Sequence, residues 1–195
     1  MRTVFLDRDG IINEIVCFPE LGLMDSPLNP RQFKLMPDAA KAIKVLNKLG
    51  LNVIIVSNQP AIAKGKTTMR LFEEIRQKMK RELKKGGARI DAEYYCFHHP
   101  GAKYAKYRVR CSCRKPKPGL LMEAAKDLKI DTSESYIVGD SLTDIEAGRD
   151  AGCKTILVGY LKSYLSKVID ETGVRPDFVM PSLLDAVRVI KKEVS

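Results

Sequence analysis

The chain has 195 residues, and the 45% that are hydrophobic are enough to build a core, which excludes disorder over most of its length. The 34 Lys and Arg residues outnumber the 24 Asp and Glu residues, and the resulting net charge of +10 favours anionic ligands. No apolar stretch approaches the roughly 20 residues that span a bilayer, and charged residues follow closely on the first Met, so we expect a cytoplasmic protein without a membrane partner.

Four short apolar runs predict strands. Each run is continuous rather than alternating and rich in β-branched residues, which is typical of strands that are buried on both faces of a parallel sheet. In chain order the predicted strands are residues 4–6, 52–56, 135–138 and 154–158.

Segments with helical periodicity separate these runs. In chain order the predicted helices are residues 37–49, 67–85, 119–129, 142–151 and 183–193. Glycines end several of them, as expected at helix C-termini. The alternation of strands and helices predicts an α/β fold with a doubly wound, Rossmann-like parallel sheet and right-handed crossovers. Ligands of such sheets bind beyond the carboxyl ends of the strands.

Two long segments interrupt this alternation, residues 14–35 and residues 94–118. Loops of this length in a compact domain usually have a function or are held by a metal or by disulfides. Neither is long enough for a large cap domain, so we expect residues 1–195 to form one domain. Cys17 and Cys153 lie apart from the other cysteines, and we predict that both are small apolar core residues.

Polar side chains follow the predicted strands and precede one helix. They are Asp7, Asp9, Ser57, Asn58, Asp140, Asp144 and Lys115. Each has an ordinary structural explanation when it is taken alone, as part of a turn, a strand end or a helix N-cap. Together they place several carboxylates, a hydroxyl group and a lysine at one edge of the sheet. A hard divalent cation would relieve the repulsion between those carboxylates.

These residues resemble the four motifs of the haloacid dehalogenase (HAD) superfamily phosphatases, in the right order along the chain. The four segments are Asp7-Arg8-Asp9-Gly10, Ser57-Asn58-Gln59, Arg114-Lys115-Pro116 and residues 139–144. Within that superfamily, a Cys-x-His pair at 96–98 and a Cys-x-Cys-Arg-Lys-Pro run at 111–116 resemble the branch of heptose bisphosphate and histidinol-phosphate phosphatases.

The resemblance implies an HAD-like fold and a phosphatase mechanism. Asp7 would be the nucleophile that forms an aspartyl-phosphate, and Asp9 the general acid and base. Ser57 would hydrogen-bond the transferring phosphoryl group, while Lys115 would neutralise its oxygens. Mg²⁺ would be held by the carboxylates of Asp7 and Asp140 and by the backbone carbonyl of Asp9.

The resemblance also implies which residues contact the substrate. These are Ser57, Asn58, Gln59, Arg114 and Ser141. Arg114 offers a planar fork suited to a second anionic or hydroxyl-rich part of the substrate. Asp144 has two possible roles that the sequence leaves open, since it can orient Lys115 or a metal-bound water, or it can cap the following helix.

Cys96, His98, Cys111 and Cys113 form a cluster within the second long segment. Three thiolates and one imidazole complete a tetrahedral zinc site and leave no position for water, so we expect a structural Zn²⁺. The Cys-x-Cys spacing is too tight for an easy mutual disulfide. His99 is expected to be a loop residue beside the site. The zinc would place the Arg114-Lys115 pair.

We expect the substrate to be a small phosphorylated sugar or amino alcohol, taken up by a monomer. The leading prediction is D-glycero-D-manno-heptose 1,7-bisphosphate, cleaved at its 7-phosphate, and the alternative is histidinol phosphate. The basic segment 103–117, with Tyr104 and Tyr107, would also suit a zinc-containing nucleic-acid binder or a phosphatase of nucleic-acid 3′ ends. The carboxylates at the sheet edge disfavour the binder, because they would repel a nucleic acid. The short insertions disfavour the 3′-end phosphatase, because they leave no obvious cap or groove domain.

Overall fold

The structure is a computed structural model and describes residues 2–159 and 163–194. Its strands are β1 (Thr3–Leu6), β2 (Val16–Phe18), β3 (Leu23–Asp25), β4 (Asn52–Asn58), β5 (Ala92–Cys96), β6 (Tyr136–Gly139), β7 (Lys154–Val158) and β8 (Phe178–Met180). Its α-helices are α1 (Ala39–Lys48), α2 (Met69–Lys85), α3 (Gly119–Leu128), α4 (Leu142–Asp150), α5 (Ser163–Thr172) and α6 (Leu183–Val194).

Six strands form one parallel sheet in the order β5-β4-β1-β6-β7-β8. The chain runs outward from β1 through β4 to β5, and then returns to the other side of β1 for the remaining strands. The strand order therefore reverses at β1, and a doubly wound sheet opens its ligand crevice at such a switch point. The predicted fold class is confirmed, and the carboxyl ends of β1, β4 and β6 lie side by side.

Successive residues of the central strands enter two different apolar cores. Val4 and Leu6 pack in a core that also contains residues of α1, α2 and α6, whereas Phe5 between them packs in a core with residues of α3 and α4. All three side chains are fully buried. Burial on both faces explains why the strand sequences are continuously apolar rather than alternating.

The sequence missed three elements of the main layers. Strand β5 is only partly buried at four of its five positions, and the polar Glu93, its second residue, interrupts the apolar pattern of a strand. Strand β8 has three residues, too few for any periodicity. Helix α5 was not predicted either. The predicted loop 94–118 therefore begins inside β5, and its irregular part starts after Cys96.

Residues 14–35 are not a plain loop. Strands β2 and β3 pair antiparallel within them and form a small hairpin. The prediction that Cys17 is a core residue is wrong, because Cys17 lies in this hairpin and its side chain is exposed. Cys153 is buried, as predicted. In the described part of the chain, no helix has the length and apolar character needed to cross a membrane.

Candidate active site

Three carboxylates meet at the carboxyl edge of the sheet. Asp7 follows β1, Asp140 follows β6 and Asp144 lies in the first turn of α4, and one oxygen from each lies within 4.8 Å of the others. Gly10 permits this approach, because a Cβ atom at that position would lie 2.1 Å from Oδ2 of Asp140. Its φ of +80° is also a conformation that favours glycine.

Lys115 joins this cluster from the segment before α3. Its Nζ donates to Oδ1 of Asp7 (2.8 Å) and to the carbonyl oxygen of Val56 (2.7 Å), and it forms an ion pair with Asp144. Burial would lower the pKa of Lys115, but the carboxylates of Asp144 and Asp7 outweigh burial and raise it well above its usual value. The ammonium group is therefore a fixed positive charge beside Asp7.

Asn58 at the end of β4 fixes the backbone of Lys115. Its Oδ1 accepts from the Lys115 N–H (3.1 Å), and its Nδ2 donates to the Lys115 carbonyl (3.0 Å). Asn58 lines the pocket described below, but the polar atoms of its side chain serve Lys115. These two hydrogen bonds hold the segment that carries Lys115 against the end of β4.

Asp144 has both of the roles that the sequence left open. Its Oδ2 accepts from the backbone N–H of Ser141 (3.2 Å), while the Ser141 side chain accepts from Thr143, so α4 begins with a capping box. The other oxygen of Asp144 pairs with Lys115. Ser141, expected to contact substrate, is the N-cap of α4 and also lines the pocket.

The cluster retains excess negative charge, because three carboxylates face one ammonium group. Burial, together with the nearby charges of Asp7 and Asp144, raises the pKa of Asp140 to about 7. A divalent cation would favour the ionised form of a carboxyl group in these surroundings. A few carboxylates that leave positions open for phosphate and water are also the donors that Mg²⁺ prefers.

Asp9 points into a separate set of donors. Its carboxylate accepts hydrogen bonds from Arg8, from Asn13 Nδ2 (2.9 Å), from Ser26 Oγ (2.9 Å) and from Gln59 Nε2 (2.7 Å). Burial would raise the pKa of Asp9, but the Arg8 guanidinium and these hydrogen bonds outweigh it and lower the pKa. Asp9 is thus a carboxylate in this state.

Gln59 does not take the position that the sequence predicted. We expected a substrate contact, but the side chain is buried and its Nε2 donates to Asp9 and to Ser57 Oγ (3.1 Å). Ser57 is likewise buried at the end of β4. Sequence reasoning also missed Arg8 and Ser26 as partners of Asp9. The sequence did contain a signal for Arg8, because this arginine lies between two aspartates directly after a buried strand.

A pocket of about 290 Å³ opens over these groups. Its lining residues come from the strand ends, the hairpin and the lysine segment, and are Asp7, Asp9, Ile15, Met24, Asp25, Ser26, Asn58, Pro60, Arg114, Lys115, Asp140, Ser141, Thr143 and Asp144. The volume suits a small molecule. The hairpin contributes an apolar wall through Ile15 and Met24, and Asp25 ties it to the loop after β4 through a 2.5 Å ion pair with Lys66.

The four predicted zinc ligands come together beside the pocket. The sulfur of Cys96 lies 3.1 Å from that of Cys113 and 3.7 Å from that of Cys111, and Nδ1 of His98 lies 3.4 Å from the Cys113 sulfur. Disulfide sulfurs would be about 2.05 Å apart. All three separations are too long for a disulfide. Those of 3.4 and 3.7 Å are close to the edges of about 3.6–3.8 Å expected for a tetrahedron around Zn²⁺ with Zn–S distances of about 2.3 Å. The donor set therefore fits zinc.

This cluster is connected directly to the segment that carries Lys115. The N–H of Gly119 at the start of α3 donates to the Ser112 carbonyl (3.1 Å), and Arg114 Nη1 donates to the His98 carbonyl (3.3 Å). Cys113 and Lys115 are two residues apart. A metal that holds the cysteines would therefore also hold the backbone that presents Arg114 and Lys115 to the pocket.

A parallel sheet with paired aspartates after β1, a lysine from before α3 and an acidic turn after β6 defines an HAD-type hydrolase. Consistent with this, a family model described as HAD-hydrolase-like matches residues 112–186. The chain belongs to the HAD superfamily of phosphatases, enzymes that hydrolyse phosphoric monoesters, in the branch of heptose bisphosphate and histidinol-phosphate phosphatases.

Relatives within this branch match almost the whole chain. The D-glycero-beta-D-manno-heptose-1,7-bisphosphate 7-phosphatase of Escherichia coli K12 is 36% identical over 191 residues, which are 97% of this chain and 94% of that protein. The enzyme of the same name from Haemophilus influenzae is 34% identical over 98% of this chain and 97% of its own length.

Solved structures agree with this assignment. The D,D-heptose 1,7-bisphosphate phosphatase from B. bronchiseptica, complexed with magnesium and phosphate, aligns with a TM-score of 0.80 at 28% identity and covers 99% of each chain. A putative HAD-like phosphatase from Mesorhizobium loti also aligns with a TM-score of 0.80, at 29% identity, over all of this chain and 88% of that one.

Proposed function

We propose that this protein removes the 7-phosphate of D-glycero-D-manno-heptose 1,7-bisphosphate, as the β anomer that the names of its relatives specify. The observation that carries the proposal is the position of Lys115, whose ammonium group touches Asp7 at the floor of a small pocket. The near full-length relatives that bear this name support the choice of substrate.

In the proposed reaction, Asp7 attacks the phosphorus atom and an aspartyl-phosphate forms as the bond to the C7 oxygen breaks. Lys115 neutralises charge on the phosphoryl oxygens, and Ser57 donates a hydrogen bond to them. Asp9 protonates the departing oxygen. Phosphate charge beside Asp9 raises its pKa and so helps it to hold that proton. Asp9 then takes a proton from the water that hydrolyses the aspartyl-phosphate.

Mg²⁺ would be held by the carboxylates of Asp7 and Asp140 and by the backbone carbonyl of Asp9. When bound, it screens the charge between the nucleophile and the phosphate. Zn²⁺ would be held by Cys96, His98, Cys111 and Cys113 in the geometry described above. Asp144 would act through Lys115, which it touches, rather than through the substrate.

We also propose that one domain and one chain supply the whole site. The pocket lining is drawn from β-strand ends, the hairpin and the segment before α3 of the same chain. The pocket floor carries several carboxylates, which supports a small phosphorylated metabolite over a nucleic acid as the partner.

The direct test is phosphate release from a panel of substrates with and without Mg²⁺. The panel contains the heptose 1,7-bisphosphate, the heptose 1-phosphate, histidinol phosphate and a 3′-phosphorylated oligonucleotide. We expect one phosphate per bisphosphate, little release from the 1-phosphate, and no turnover after Mg²⁺ is chelated. Faster turnover of histidinol phosphate or of the oligonucleotide would replace the proposed substrate.

Changing Arg114 to Ala should weaken recognition of the substrate but leave the chemistry intact. Arg114 lines the pocket from the segment that carries Lys115, where its guanidinium group can reach the part of the substrate beyond the scissile phosphate. A charge-assisted hydrogen bond contributes about 1.5–3 kcal/mol, so we expect kcat/KM for the heptose bisphosphate to fall about 10- to 100-fold. The value for p-nitrophenyl phosphate should change little.

Lys117→Ala is the matched control for Arg114→Ala. Lys117 lies on the other side of Pro116, is exposed, and donates to the Cys111 carbonyl outside the pocket. It should leave both substrates nearly unaffected. Equal losses on the two substrates in Arg114→Ala would show that Arg114 serves the phosphoryl transfer itself.

Changing Met24 to Ala should raise KM for the heptose bisphosphate about three- to tenfold and leave kcat almost unchanged. Met24 lines the pocket but is 73% exposed without ligand, so substrate can cover part of it. A fully buried methionine contributes about 1.5–3 kcal/mol, and only a part is newly buried here. The neighbouring Leu23 is also exposed but lies outside the pocket lining, so Leu23→Ala should leave KM unchanged. An equal rise in KM in both variants would contradict a substrate contact with Met24.

A further inference from the structure

Arg8 is the largest of the fully buried side chains, with 0% of its surface exposed. Arginine is almost never fully buried unless it is paired. Its Nη2 donates to both oxygens of Asp9, at 2.9 and 3.1 Å, and its Nε donates to Oδ1 at 3.2 Å. Nη1 has no hydrogen-bond partner among residues 2–159 and 163–194. The hydrogen bonds recorded for the guanidinium group therefore all go to one carboxylate.

The buried ion pair of Arg8 with Asp9 is weak evidence that Arg8 is present for fold stability. A buried ion pair is often no more stable than apolar residues of the same size, because both charges must lose their water. A structural arginine would be expected to bond carbonyl groups of several elements. Arg8 instead leaves one donor unused, and its contacts serve the orientation of Asp9.

The guanidinium group of Arg8 packs against an aromatic cluster formed by Phe72, Tyr95 and Phe97. Its central carbon lies 5.6 Å from the ring centre of Phe72, which is in α2. The Phe72 ring packs edge-on against Tyr95 at 4.9 Å and Phe97 at 5.1 Å. Phe72 therefore packs against the guanidinium group of Arg8, and Tyr95 and Phe97 hold the Phe72 ring in place.

The donors around Asp9 fall into a buried group and a pocket-facing one. Arg8, Asn13 and Gln59 are buried and lie outside the pocket lining, whereas Ser26 lines the pocket. The buried three form a rear wall, and Ser26 is the one of these four donors that lines the pocket. A substrate oxygen that approaches Asp9 would therefore arrive from the side of Ser26, with the rear wall unchanged.

We propose that Arg8 is a positioning residue, a buried counter-charge that aims Asp9 at the departing oxygen of the substrate. The inference rests on the proposed function, in which Asp9 is the acid and base. Loss of Arg8 would therefore resemble loss of Asp9. The loss of activity would depend on how much the leaving group needs a proton. A substrate with a strongly basic alkoxide leaving group would therefore lose more activity than one with a weakly basic phenolate.

The test compares kcat/KM for the heptose bisphosphate and for p-nitrophenyl phosphate, because kcat/KM covers the steps up to departure of the leaving group. In Arg8→Met we expect a loss of about 10²–10⁴-fold on the heptose bisphosphate, the range for lost general acid catalysis. The loss on p-nitrophenyl phosphate should be at most about tenfold. With that substrate, a burst of nitrophenolate should precede slow turnover, because hydrolysis of the phosphoenzyme still needs Asp9 as base.

Arg8→Lys keeps the cation and should fall between wild type and Arg8→Met, which covers the case in which Arg8→Met fails to fold. Adding Arg8→Met or Arg8→Lys to Asp9→Asn should cost little more than Asp9→Asn alone, since both changes remove one function. Tyr95→Phe is the control. It alters the same aromatic cluster by losing a hydroxyl bond to Glu93 without touching Asp9, and it should leave the ratio of the two substrates unchanged.

Equal losses on the two substrates, or losses that multiply with that of Asp9→Asn, would overturn the proposal and leave Arg8 a structural residue. Wild-type activity in both Arg8 variants would overturn it as well. Failure of the proposed function is a different result, because wild-type protein would then not hydrolyse the heptose bisphosphate at all.

Discussion

Asp7→Asn should abolish phosphate release from the heptose 1,7-bisphosphate while the protein remains folded. An amide is not a nucleophile toward phosphorus, and loss of the nucleophile in a well-studied hydrolase costs about 10⁶-fold in kcat. Lys115 keeps its contacts to Asp144 and to the Val56 carbonyl, so the site does not lose its ammonium group. Turnover of purified variant and wild type under saturating Mg²⁺ measures the effect.

The fold should tolerate this change because it removes one of three mutually repelling carboxylates. We expect the melting temperature to stay within about 4 °C of wild type, equivalent to about 1 kcal/mol. Asp38→Asn is the matched control, because Asp38 is exposed before α1 and lies outside the pocket lining. That variant should retain full activity. A folded Asp7→Asn protein with near wild-type turnover would contradict the mechanism.

Removal of the proposed zinc ion should have the second large effect. The purified protein should carry about one Zn²⁺ per chain, and Cys111→Ser should lower this content by breaking the four-ligand set. Turnover should fall about 10²–10³-fold, the usual cost of losing one group that stabilises transition-state charge. The physical reason is that the backbone carrying Lys115 begins two residues after the ligand Cys113.

The magnesium site should survive this change. Asp7 and Asp140 follow β1 and β6, and their positions do not depend on the zinc ligands. The Mg²⁺ concentration needed for half-maximal activity should therefore change little, which separates a displaced lysine from general unfolding. Cys17→Ser is the matched control, since Cys17 is exposed and distant from the cluster in sequence and contacts. A zinc-free protein with undiminished turnover would show that the metal is incidental.

The sheet could be predicted because its central strands are apolar on both faces. Continuous runs such as residues 4–6 and 52–56 are typical of strands buried on both faces of a parallel sheet. Strand β5 was not predicted because its second residue is the polar Glu93. Glu93 pairs with Arg76 and Lys80 of α2, and such pairs cannot be seen until the elements pack. The hairpin in 14–35 was hidden by its prolines and its short strands.

The carboxylate cluster of the candidate site could be predicted because parallel strands bring their carboxyl ends to one edge. This argument places Asp7 and Asp140 together and requires only the alternation of strands and helices. It could not show that Gln59 turns inward to Asp9, or that Arg8 is buried against Phe72. Both depend on packing between elements that are distant along the chain.

The most direct test of the mechanism is to trap the phosphorylated enzyme. Asp9→Asn should slow hydrolysis of the aspartyl-phosphate, because general base catalysis contributes about 10²–10⁴-fold. The variant is mixed with p-nitrophenyl phosphate, whose leaving group needs little protonation, quenched in acid, and analysed as peptides by mass spectrometry. We predict one phosphoryl group on the peptide that contains Asp7, and none when Asp7→Asn is added. A phosphoryl group on another residue, or nitrophenolate release without any phosphorylated protein, would contradict the account.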